Sequence, residues 1–153
     1  MLDGLDILDD LIDAANGLVE AAESAQFYRI EWCPPQWAFL ADDSPEKLLR
    51  AGNQHTGKST AGLAEVAGRC MGIHPLAAWG YSYPRDPPIE AWVICVSWQQ
   101  SVTVQKKLWE MIPKEALDPR TTFDEAQGFS PIKSPVVRFL NGSMIRIKTT
   151  NQG

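Results

Sequence analysis

The chain has 153 residues, 44% hydrophobic and 22% charged, which suits one domain with a single core. Its net charge of −5 is unevenly divided: residues 1–27 hold seven acids (Asp3, Asp6, Asp9, Asp10, Asp13, Glu20, Glu23) and no base, leaving 14 bases against 12 acids in the rest. That balance excludes a protein that coats nucleic acid through clustered Lys and Arg, and three cysteines without CxxC spacing (Cys33, Cys70, Cys95) exclude a disulfide framework.

The cysteines are expected as reduced thiols packed as small hydrophobes, and two histidines are too few for a His-rich metal site. The N-terminus lacks the basic start of a signal peptide, and the longest apolar run, Ala91–Trp98, is far shorter than a membrane span. Leu5–Gln26 places Leu5, Leu8, Leu11, Ile12, Ala15, Leu18, Val19 and Ala22 at three- and four-residue steps. This spacing predicts an amphipathic helix with an acidic outer face within an N-terminal segment 1–30, either packed on the domain or serving as a docking arm. Gly17 is a weak point at which it could break in two.

Residues 31–153 form the main body. Glu31–Asp43 is expected as a loop stiffened by Pro34-Pro35, ending in a short apolar piece, and Glu46–Gly52 as a short strand. A helix follows from Lys58, rich in small residues, with Gly72 as its stop. Residues 73–90 contain four prolines and a glycine and are expected as loop, with His74 an ordinary loop residue. Ala91–Trp98 is expected as a strand buried on both faces, and Ser101–Ile112 as a helix capped by Ser101 and stopped by Pro113. Two alternating runs flank Asn141-Gly142, a dipeptide suited to a two-residue hairpin turn. The order of elements indicates an α/β fold with an added antiparallel hairpin.

The most specific signal is Gly52-Asn53-Gln54-His55-Thr56-Gly57-Lys58-Ser59, followed by Thr60, which satisfies G-x-x-x-x-G-K-[ST] in full. Such a loop wraps a phosphate with its backbone N–H groups pointing inward, and its glycines permit the close approach. The helix behind it offers unpaired N–H groups and a partial positive charge. Lys58 would reach the β- and γ-phosphates of ATP, and the Ser59 hydroxyl would ligate Mg²⁺. A chance match in a chain of this length is on the order of 1% or less. Gln36, 16 residues before Gly52, is a candidate for reading the adenine edge, because an amide both donates and accepts; otherwise it is a surface glutamine beside buried Trp37 and Phe39. Asp124-Glu125 has the composition of a Walker B terminus but follows a loop-like Pro119–Thr122 rather than an apolar strand, so no carboxylate is assigned a catalytic role.

The stretch from Arg50 to Pro75, RAGNQHTGKSTAGLAEVAGRCMGIHP, resembles the N-terminal ATPase domain of phage terminase large subunits. PPQWAFL resembles the family's adenine-reading segment, WVICVSWQQSVTVQKKLWEMIP its second strand and helix, and FLNGSMIRIKTTNQG the hairpin that precedes its Walker B strand. The resemblance covers about residues 31–153 and implies a P-loop NTPase core of the ASCE, RecA-like kind. It implies a motor in the host cytoplasm that uses ATP to drive double-stranded DNA into a procapsid, working with a portal protein and a small terminase subunit. Lys58 and Ser59 carry over as phosphate and Mg²⁺ ligands and Gln36 as an adenine contact. Gln54 or His55 stands where many relatives have an arginine. The family's strand ending in Asp-Glu, its coupling motif and its nuclease have no counterpart here. The chain is therefore expected to be an incomplete core that binds ATP without hydrolysing it.

Two other functions fit the same residues. A helicase-like ATPase shares the layout of the first motifs, whereas a nucleotide kinase would need an arginine-rich lid that the scattered arginines do not form. A non-catalytic module that docks on a partner through its acidic helix is the other.

Overall fold

The structure, a computed structural model, describes residues 4–50 and 57–150. Ala51–Thr56, and with them Gly52, Asn53, Gln54, His55 and Thr56 of the glycine loop, lie outside the described residues. The fold is mixed α/β. Helices α1 (Gly4–Ser24), α2 (Gln26–Arg29), α3 (Pro34–Ala41) and α4 (Lys58–Met71) come first. Strand β1 (Glu90–Cys95) and helix α5 (Trp98–Met111) follow, then the short pair β2 (Phe123–Asp124) and β3 (Gly128–Phe129). The hairpin β4 (Val136–Arg138) and β5 (Met144–Thr149) comes last.

The larger sheet has the order β1-β5-β4. β5 runs parallel to β1, from Glu90 opposite Met144 to Cys95 opposite Thr149, and antiparallel to β4. Strand side chains alternate between faces, so Ile145 and Ile147 of β5 point to one side together with Ala91, Val93 and Cys95. That side meets α4 and α5, and the core forms there from Leu63, Ala64, Ala67, Leu108, Met111, Phe139, Ile145 and Ile147. The small residues of α4 let its backbone lie close to this layer; Ala61, Ala64 and Ala67 are fully buried.

Several local expectations are corrected. Residues 34–41 are helical rather than looped, because Pro34 and Pro35 occupy the first two helical positions, where a missing N–H costs nothing. No strand forms over Lys47–Arg50; the Lys47 ammonium is drawn to Glu65 and the Phe39 carbonyl instead. β1 is not buried on both faces: Trp92 and Ile94 are 58% and 61% exposed, since helices cover only the opposite side. α5 begins at Trp98, with Ser97 as its cap accepting from the Gln100 N–H, and Ser101 is buried inside the helix. The β4–β5 turn spans three residues, Leu140–Gly142, because Phe139 still bonds to Ser143; Gly142 takes a left-handed φ of 89°. Residues 73–90 are mostly loop, with one 3-10 turn at Ala77–Trp79. α1 runs unbroken through Gly17, and its apolar residues Ile7, Leu8, Leu11, Ile12 and Val19 are exposed rather than packed on the domain. Cys70 and Cys95 are buried free thiols, as expected, but Cys33 is exposed.

Candidate phosphate site at the start of helix α4

Gly57 is the N-cap of α4 and takes φ 72°, ψ 17°, a left-handed conformation that glycine adopts without penalty. The chain therefore turns sharply into the helix, and Lys58 and Ser59 occupy its first turn, both exposed, with Thr60 half-buried behind them. Backbone N–H groups of a first turn have no partner within the helix, and the macrodipole adds positive potential there. The first internal bond of α4 runs from the Ala61 N–H to the Gly57 carbonyl at 3.0 Å.

The same Gly57 carbonyl accepts a second bond, 3.1 Å from Gln36 Nε2. Gln36 lies on α3 and is only 8% exposed. Its Oε1 accepts from the Cys33 N–H at 3.0 Å, closing the first turn of α3. Two residues singled out 21 positions apart are thus brought together, and both ends of the Gln36 amide are engaged within the protein. Gln36 is not a surface residue; its neighbours Trp37 and Phe39 are half-buried.

A second tie sits about two turns further along α4. Glu65, almost fully buried, holds Lys47 at 2.9 Å and Arg69 at 2.8 Å through Oε1, and Tyr83 Oη lies 3.2 Å from its Oε2. Burial and the Glu65 charge push the Tyr83 hydroxyl well above the usual phenol range, so it stays a neutral donor. Lys47 precedes the glycine loop and Gly57 closes it, so both flanks of the loop are fastened to α4 or α3. Sequence reasoning missed this set. Lys47 and Glu65 are ordinary charges in a linear reading, and only their shared burial marks them.

His74 is also more than a loop residue. It is 3% exposed, and its Nδ1 accepts the Leu76 N–H at 2.9 Å, while Nε2 has no hydrogen-bond partner among the described residues. Burial pulls its pKa below the ordinary histidine value. Its ring packs on Tyr81 and Tyr83, with centroids at 5.5 and 4.6 Å. Tyr81 in turn meets Trp37 edge-on at 6.2 Å, and Trp37 meets Trp79 at 4.7 Å.

Asp124 and Glu125 are occupied elsewhere: Asp124 Oδ1 accepts from the Ala126 and Gln127 N–H groups of its own turn, and Glu125 pairs with Lys106 on the surface. Pro119–Thr122 is turn and loop, as expected, Phe123–Asp124 forms a two-residue strand, and neither acid is joined to the start of α4 by any of these bonds. Among the described residues no group of three or more His, Cys, Asp or Glu could hold a metal ion, and no helix is long and apolar enough to cross a membrane. A groove of about 380 Å³, lined by Tyr28, Met71, Ile73, Phe139 and Leu140, lies at the C-terminal end of α4, roughly 20 Å along the helix from Lys58. No family model, curated protein or solved structure matches the chain.

Proposed function

We propose that the chain is the ATP-binding part of a P-loop motor of the phage terminase large-subunit kind. The supporting observation is the start of α4: a complete G-x-x-x-x-G-K-S run whose second glycine is the left-handed Gly57, with Lys58 and Ser59 in the first helical turn and Gln36 fastened to the Gly57 carbonyl. In this function the N–H groups of residues 52–60 surround the phosphates, Lys58 neutralises the β- and γ-phosphates, and Ser59 Oγ is one ligand of Mg²⁺. The exposed Ser59 hydroxyl in the first turn would be the protein's oxygen ligand to that ion.

The rest of the motor is proposed from the same likeness: ATP-driven movement of double-stranded DNA into a procapsid, in contact with a portal and a small subunit, in the host cytoplasm. The RecA-like core is part of the proposal. Among the described residues β1 is bonded to β5 on one side only, which leaves its other edge open to a further strand, and in the family the hairpin is followed by the strand ending in Asp-Glu. Glu65, Asp124 and Glu125 are each committed to other partners. The chain is therefore proposed to bind nucleotide without turning it over, since phosphoryl transfer needs a metal-holding acid and a base that positions water.

Titration calorimetry with Mg-ATP tests this. Saturable binding is expected, at least tenfold weaker in Lys58→Ala, with no phosphate release from either protein. Absence of binding by the intact chain, or binding that ignores the Lys58 change, would overturn the proposed function.

A further inference from the structure

We infer that the nucleotide base is held by stacking on Trp79, rather than read along its edge by Gln36, so that the site discriminates little between adenine and guanine. This rests on the nucleotide-binding function proposed above and names the base-specificity residue of that site.

Gln36 is poorly placed to read a base. Its Oε1 is engaged by the Cys33 N–H and its Nε2 by the Gly57 carbonyl, and the residue is nine-tenths buried. Edge recognition needs the amide's remaining N–H and lone pair presented to the ligand, and the burial of Gln36 withholds them. Here the amide's bonds instead close one helix and hold the start of another.

Trp79 has the opposite character. It is 62% exposed, yet its ring packs against a neighbour. Its ring meets Trp37 at 4.7 Å, and Trp37 follows Gln36 on α3, whose side chain touches Gly57. Behind Trp37 the rings continue through Tyr81, His74 and Tyr83, and the Tyr83 hydroxyl is fixed to Glu65 of α4. The ladder thus links α4 to an exposed indole that packs on Trp37, the residue next to the Gln36 whose amide bonds to Gly57 at the start of α4. The exposed indoles Trp92 and Trp98 lie instead at β1 and the start of α5, and Trp92 is already covered by Lys148 at 4.4 Å and bonded to Glu90. A base presents its π-face whatever its hydrogen-bonding edge, so stacking supplies affinity without selectivity.

The test uses the full chain, Trp79→Ala and Trp79→Phe, titrated by calorimetry with Mg-ATP, Mg-GTP and Mg-tripolyphosphate. The wild type is expected to bind ATP and GTP within about threefold of each other. Trp79→Ala should weaken both by about tenfold, while tripolyphosphate affinity stays the same and Trp79→Phe recovers most of the loss. Circular dichroism checks that each variant is folded. A preference for ATP above about thirtyfold, or unchanged nucleotide affinity in folded Trp79→Ala, would overturn the inference while leaving the phosphate site intact. Loss of tripolyphosphate binding in folded Trp79→Ala would assign Trp79 to the phosphate site and overturn it too. If the wild type binds none of the three, the phosphate site itself fails and the stacking role falls with it.

Discussion

At Gly57 the backbone has φ 72°, and a Cβ built there would overlap Gln36 Nε2. Two separate costs attach to Gly57→Ala: about 1–2 kcal/mol for a left-handed non-glycine residue, and about 1 kcal/mol for the displaced Gln36 bond. Urea denaturation should therefore show a loss of roughly 2–3 kcal/mol. The two costs are separable, because Gln36→Ala removes the obstructing amide. In that background Gly57→Ala should cost about 1 kcal/mol less, a coupling that a double-mutant cycle reads directly. Strict additivity would mean that the Gln36–Gly57 contact does not constrain the start of α4. The glycine spacing made Gly57 legible as a turn residue, but its partner was not. Gln36 stood out for a role in base reading, and only the packing of α3 against α4 turned its amide inward.

The elements were legible where one signal dominated. The small-residue helix with its Gly72 stop appears as α4, and the alternating runs around Asn141-Gly142 appear as β4 and β5. Errors arose where two signals competed. Pro34-Pro35 punctuates a loop as readily as it starts a helix, and only the Cys33–Gln36 bond settles which. The apolar run of β1 matches a strand covered on both faces as well as one covered on a single face, because periodicity does not count layers. For α5, Ser97 and Ser101 lie one helical turn apart and either suits an N-cap. Ser97 caps by accepting from the Gln100 N–H, which sets Ser101 facing inward to accept from Gln105 Nε2 at 2.9 Å. Gln105 Oε1 then receives the Phe129 N–H at 2.8 Å and so holds the β2–β3 pair, which is too short to be stable alone. Ser97→Ala should lower stability by about 1 kcal/mol and Ser97→Gly by only a few tenths, measured as shifts in denaturation midpoint. A larger loss from Ser97→Gly than from Ser97→Ala would show that the side-chain cap is not what starts α5.

Across the whole molecule, charge and packing divide at the same place. Residues 1–24 hold all seven N-terminal acids and no base, and the rest of the chain holds 14 bases against 12 acids. The core is drawn from α2, α4, α5 and the strands, and no described side chain of α1 belongs to it. Among the described side chains of this acidic helix, the large apolar ones, Ile7, Leu8, Leu11, Ile12 and Val19, are all exposed, so removing it should forfeit little hydrophobic stabilisation. Its removal takes the formal charge from −5 to +2, since −5 minus −7 is +2. A chain lacking residues 1–24 is therefore expected to melt cooperatively within a few degrees of the full-length protein. At pH 7 it should bind a cation exchanger, where the intact chain binds an anion exchanger. Phe27 of α2 is buried in the core, so a cut placed beyond it should behave differently and lose the cooperative transition. If removing residues 1–24 alone abolishes that transition, α1 is a structural layer of the body and its exposed apolar stripe has a partner within the chain.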